Sequence, residues 1–142
     1  TASGIVDIIQ NSESESIKVD TASGAVNITA DQVGEISTDT ASGKQTMTVS
    51  SAKTVKAGTA NGNVTLTAAE MPENVSIDSA SGDVMIYVPE NSDFTANINT
   101  ASGDFNTDIP LTHKGDKYIC GSGNNKINID TASGDVSINK TA

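Results

Sequence analysis

A tetrapeptide of the form Thr-Ala-Ser-Gly recurs seven times, at residues 1–4, 21–24, 40–43, 59–62, 79–82, 100–103 and 131–134, with Thr59-Ala60-Asn61-Gly62 and Ser79-Ala80-Ser81-Gly82 as near copies. Its glycines, Gly4, Gly24, Gly43, Gly62, Gly82, Gly103 and Gly134, lie 20, 19, 19, 20, 21 and 31 residues apart. A fixed period near 20 marks stacked units, none of which can bury its apolar side alone.

Alignment on the glycines exposes a second regularity. Seven and five residues before each glycine from Gly24 onward stand Ile17 and Val19, Ile36 and Thr38, Val55 and Ala57, Val75 and Ile77, Ala96 and Ile98, and Ile127 and Ile129. Their neighbours are mostly polar, so each unit enters its glycine as a half-buried strand with a period of two. Beyond the glycine the apolar set resumes at even offsets, as in Val26, Ile28 and Ala30, Val64, Leu66 and Ala68, or Val84, Ile86 and Val88. The parity therefore flips at the glycine, as a sharp corner between two strands requires, and glycine permits it without a Cβ clash.

A corner at the glycine turns the Thr and Ser of the motif inward and its Ala outward. Buried hydroxyls then need acceptors, which the neighbouring unit one rung away can offer. A corner at Asp-Thr would do the reverse. Turn-forming residues fill positions 11–16, 31–35, 50–54, 69–74 and 89–93, so one unit makes one circuit. Successive circuits pairing in parallel predict an all-β fold, a right-handed parallel β-solenoid of about seven rungs. Residues 1–142 make one domain, with a loop at 107–123 inserted before the last rung and expected to cover a side or end of the stack. Because the chain starts inside a repeat, a fragment of a longer protein is expected, with any leader or anchor upstream. The first rung is then incomplete, and its strand from Ile5 to Gln10 should be exposed unless an upstream segment, a second copy or the inserted loop covers it.

Eighteen acidic residues against eight lysines and no arginine give a net charge of −10, which argues against nucleic acid and against docking on an anionic bilayer. No apolar run of about 18 residues suggests membrane insertion. The one cysteine, Cys120, excludes an intrachain disulfide.

Candidate chemistry is sparse. Asp20, Asp39, Asp78 and Asp130 recur four residues before the glycine, and Asp83, Asp104 and Asp135 just after it. Stacked carboxylates repel, and a calcium-like cation could relieve that. No metal site is expected, with Asp20, Asp39, Asp78 and Asp130 as weak candidates, since the columns are broken by Gly58, Asn99, Ala25, Lys44 and Asn63; a solvated acidic face is the plainer reading. His113 with Cys120, Asp108 and Asp116 offers suitable groups for a metal or nucleophilic site, but one histidine and one cysteine fit a surface ring and a buried thiol better. Polysaccharide cleavage would need positioned acid, base and cationic groups, and the chain lacks arginine and tryptophan. No catalytic residue, enzymatic activity or cofactor is therefore expected.

The run Lys126-Ile127-Asn128-Ile129-Asp130-Thr131-Ala132-Ser133-Gly134-Asp135-Val136-Ser137-Ile138 resembles the recurring unit of the bacterial putative-adhesin family of β-strand-repeat domains, with weaker copies at 75–86 and 17–28. Gly121-Ser122-Gly123 is similar to the entry such domains use into their final rungs. The resemblance implies a bacterial, cell-envelope or extracellular, noncatalytic protein. The function expected is a surface scaffold or adhesion-type module with a protein or glycan ligand, and the rival expectation is a self-assembly module that forms homo-oligomers through its solenoid ends.

Overall fold

In the computed structural model, residues 4–10, 13–70, 72–89, 93–109, 111–115 and 117–140 are described. Thirteen strands form: β1 (Val6–Gln10), β2 (Ser14–Ser23), β3 (Val26–Ser42), β4 (Gln45–Asn61), β5 (Val64–Ala68), β6 (Asn74–Ser81), β7 (Val84–Val88), β8 (Phe94–Ser102), β9 (Phe105–Thr107), β10 (Thr112–Lys114), β11 (Lys117–Cys120), β12 (Asn125–Ser133) and β13 (Val136–Lys140).

The alternation read from the sequence sets which side chains are buried. Ile36, Val55, Ile77, Ile127 and Ile129 before the corners, and Val26, Met47, Leu66, Val84, Ile86 and Ile138 after them, belong to one continuous core. Parallel partners are equivalent positions of neighbouring units, as in Ile36↔Val55 and Ile28↔Met47. Each unit thereby buries its apolar edge against the next, which a lone unit could not do.

The architecture nevertheless corrects the expected right-handed parallel β-solenoid of seven rungs. All thirteen strands belong to one sheet of mixed direction, curled into a half-barrel. Three observations separate the two architectures. First, the expected turns at 31–35 and 50–54 are strand: β3 and β4 run through them for 17 residues each, with Val33 paired to Ala52 and both buried. The ladder bends there without breaking, because those segments have each other as partners. The turn expected at 89–93 falls mostly outside the described residues, as do parts of those at 11–16 and 69–74.

Second, the units do not stack in chain order. β12 lies between β6 and β8, and β13 lies between β7 and β9. The last unit is thus intercalated between the fifth and sixth. Third, the inserted segment contributes an antiparallel hairpin, β10 with β11, and β11 runs antiparallel along β8. The insertion does cover an edge, but that of β8, remote from β1 and β2.

The glycine corners form as expected, with φ between +121° and +153° at all seven. The hydroxyls only partly follow. Thr21, Thr40, Thr59, Ser79 and Thr131 are buried, and the alanines between are exposed. The motif serines, however, are half-buried or exposed. Nor do the threonines generally reach across to a neighbouring unit: Thr21, Thr40, Thr59 and Thr131 donate to the carbonyl two residues ahead on their own strand. In these four the hydroxyl closes the corner of its own unit; Thr100 Oγ1 instead donates to the carbonyl of Gly134 in the neighbouring unit at 3.4 Å, and the buried Ser79 Oγ has no partner among the described residues.

Two buried polar side chains, Thr38 and Gln45, interrupt the apolar columns and bond to each other. Gln45, two residues after Gly43, is fully buried; its Oε1 accepts from Thr38 Oγ1 at 2.6 Å and its Nε2 donates to the carbonyl of Gly58 at 2.8 Å. These bonds satisfy the amide inside the core.

At the other extreme, among the described residues β1 and β2 pair only with β3, and Ile5 and Ile9 are 72% and 70% exposed. Hydrogen exchange should find Val6 to Gln10 less protected than Val64 to Ala68, which has neighbours on both sides. Equal protection in a demonstrated monomer would show that something covers the β1 edge.

Candidate functional site

The strands bend just before each corner, where the residues flanking the buried threonine face outward. Stacking repeats this bend, and the result is an open groove of about 1290 Å³ crossing six units. At a strand spacing near 4.8 Å it is roughly 24 Å long. One wall is the column Asp20, Asp39, Gly58, Asp78, Asp130, Asn99; the other is the alanine column running from Ala22 to Ala101. All four aspartates named from the sequence are therefore brought to one wall, in the order set by the strand pairing.

That wall is not built as a cation cage. Asp130 accepts from Asn99 Nδ2 at 2.9 Å. A Cβ at Gly58 would lie 2.8 Å from Asp39 Oδ1, so the missing side chain makes room for that carboxylate. Among the described residues no group of three or more His, Cys, Asp or Glu side chains is placed to hold a metal.

The second acidic column has a structural task not apparent from composition. Asn63 Oδ1 accepts the backbone N–H of Asp83 at 2.9 Å, Asp83 Oδ1 that of Asp135 at 3.0 Å, and Asp135 Oδ1 that of Asp104 at 2.9 Å. Each side chain thus satisfies a donor just past the corner of the next unit, and at Asp83 and Asp135 the carboxylate charge strengthens the bond. The Asp or Asn after the glycine was the available signal, but its partner depends on the stacking order.

His113 and Cys120 do not form a centre. His113 is exposed and stacks on Tyr118 with ring centroids 4.7 Å apart, while Tyr118 tilts against Phe105 at 4.6 Å. These rings fasten the hairpin over the end of the core. Cys120 is buried, and burial, with the Asp93 carboxylate adding to it, pushes its thiol up from the ordinary range. A protonated thiol is a poor nucleophile and metal ligand. Asp108 accepts from the backbone N–H of Lys140 at 2.8 Å; Asp116 lies outside the described residues.

A chain with these glycine corners and one curled sheet can be compared with known domains. The family model of the Toastrack domain DUF4097 matches residues 1–139. The chain belongs to the Toastrack DUF4097 family. The resemblance to a family of β-strand-repeat domains of unknown function holds at that coarser level, as membership of the Toastrack DUF4097 family. A crystal structure described as a "putative cell adhesion protein" from Clostridium sporogenes ATCC 15579 superposes with a TM-score of 0.63, covering 99% of this chain and 93% of the other at 10% identity. At that identity the likeness concerns the Toastrack fold alone. No curated protein sequence matches this chain. No helix among the described residues is long and apolar enough to cross a membrane.

Proposed function

We propose that this Toastrack domain is a noncatalytic binding or scaffold module of the bacterial cell surface, and that the groove is its ligand face. The carrying observation is the groove itself: six units present the same two columns, one carboxylate-rich and one of methyl groups. Such a surface suits an extended ligand that contacts many equivalent positions weakly, because repeated contacts add without requiring one deep pocket. The acidic wall and the net charge of −10 favour a ligand segment carrying positive charge, and its attraction falls as salt is raised. The description of the Clostridium sporogenes protein as a "putative cell adhesion protein" supports the surface location.

Binding to bacterial cell walls and to immobilised surface proteins and glycans, measured by interferometry, tests this reading. Ala60→Trp, which fills the middle of the groove, and Asp39→Lys, which reverses its wall, should each weaken binding by about ten-fold or more. Undiminished binding by both variants would remove the groove from the function. Turnover of a bound glycan or peptide would overturn the noncatalytic reading.

A further inference from the structure

The intercalated last unit carries a consequence for self-association. β12 has a parallel partner on each edge, β6 and β8, and so has β13, with β7 and β9. Residues 125–140 therefore fill a slot whose walls come from earlier parts of the chain. Ile127, Ile129, Val136 and Ile138 are fully buried there. Side chains also bridge it, as between Asn97 Nδ2 and Asn128 Oδ1 at 3.0 Å.

The connection that delivers this unit is short. β11 lies on one edge of β8 and β12 on the other, so residues 121–124 must carry the chain around the start of that strand. Gly121 and Gly123 take φ of +65° and +76°. The crossing is clasped to the same place: Ser122 N–H donates to Asp93 Oδ1 at 3.1 Å, Thr95 Oγ1 to the carbonyl of Gly123 at 3.1 Å, and Asn125 Nδ2 to the carbonyl of Asp93 at 2.8 Å. With the clasp open, withdrawing the unit breaks its own ladders with β6, β7, β8 and β9 but leaves the ladders among β1 to β7 in place.

We propose that the slot between β6–β7 and β8–β9 also accepts residues 125–140 of a second copy, so that two copies exchange last units and form a dimer. Every ladder, core contact and side-chain bridge of the slot is reproduced in the exchanged form, since donor and acceptor are unchanged. The balance is set by the 121–124 connection and by concentration. Repeat chains are prone to such exchange because equivalent registers compete while the chain assembles. Here the slot must also stay open until the last unit arrives, and the fifth and sixth units could close on one another in the same register, Ile77 meeting Ile98. A last unit excluded in that way is left with two apolar strands to place in another copy.

Two full-length variants test the proposal, each also carrying Cys120→Ala to remove the native thiol. One carries Asn97→Cys and the other Asn128→Cys, facing positions of a parallel pair at a separation that suits a disulfide. The two are mixed, partly unfolded, refolded together at high concentration and oxidised. Exchange predicts a disulfide-linked heterodimer at least about ten-fold more abundant than one formed by Lys56→Cys with Asn128→Cys, an exposed pair two units apart. Equal yields for the two pairs would overturn the proposal. Light scattering on the protein with its natural sequence supplies a second reading. Gly123→Val, whose Cβ would meet Thr95 Oγ1 at 2.6 Å, strains the clasp and should raise the dimer fraction. A Gly123→Val protein that folds and stays monomeric at every concentration would count equally against exchange.

Discussion

Gly82→Val should lower stability by on the order of 4 kcal/mol or more, enough to bring the melting temperature down by roughly 10 °C in a domain of this size. Two independent costs combine. The backbone at Gly82 has φ of +132°, a conformation that a β-branched residue does not reach without strain. A side chain there would also land on the carbonyl oxygen of Gly62 in the preceding unit. That obstruction is backbone, so no rotamer change relieves it. The strands cannot separate to make room, because Gly62 N–H donates to the carbonyl of Ser81 at 3.2 Å and Gly82 N–H to that of Ser133 at 3.2 Å. Ala80→Val, two residues away on the exposed groove wall, should cost under about 0.5 kcal/mol. Thermal or urea unfolding of the two variants checks the contrast. Similar losses would mean that the corner tolerates a side chain, and the seven glycines would need another explanation.

Ile77→Asp should be comparably severe, costing about 3 kcal/mol or more. Ile77 is fully buried, with Ala57 and Ile129 as its partners on the two sides. A carboxylate there sits between Ala57 and Ile129 in the core, where the protonated form is the less costly one to bury. Ser76→Asp moves the same group to the opposite face of the strand, half-buried and paired with Lys56, and should change stability by under about 0.5 kcal/mol. Equal melting shifts for the pair would contradict the inward register. The loss for Ile77→Asp should also shrink as the pH falls, since the neutral acid is less costly to bury.

The two variants probe links of different origin. Ile77 belongs to the alternation, a property of each strand by itself; Gly82 belongs to the corner, where strand and neighbour act together. Both were legible because their signals are local. A period of two selects the buried side of any strand that has a sheet to join, and a parity flip at glycine demands a bend whichever unit lies next to it.

Positions that depend on which unit is adjacent behave differently. Asp83, Asp104 and Asp135 read as a repelling column, yet each lies in a chain of side-chain to backbone bonds whose order, 63 to 83 to 135 to 104, follows the stack and not the sequence. Gln45 is polar at an inward position and is retained because Thr38 and Gly58, on β3 and β4, provide its partners. Neither pairing can be found by looking along one strand.

The repeat spacing, the alternation and the glycines determined by themselves that this chain is all-β, that Ile77 and its equivalents face a shared core, and that each unit turns at its glycine, while the structure decided between the two registers and put the motif alanine outside. Tertiary structure alone decided that the units close into one curled sheet of mixed direction, that the last unit enters between the fifth and sixth, and that the aspartate and alanine columns become the walls of one groove. The physical reason is the repetition itself. Near-identical units offer nearly the same ladder and core contacts to any neighbour, so the local code fixes how a unit pairs but leaves open with which unit it pairs. That choice rests on the turn around β8, on the hairpin of β10 and β11 that covers its other edge, and on the fit of Ile127, Ile129, Val136 and Ile138 between two partners, all of which exist only once distant parts of the chain have met.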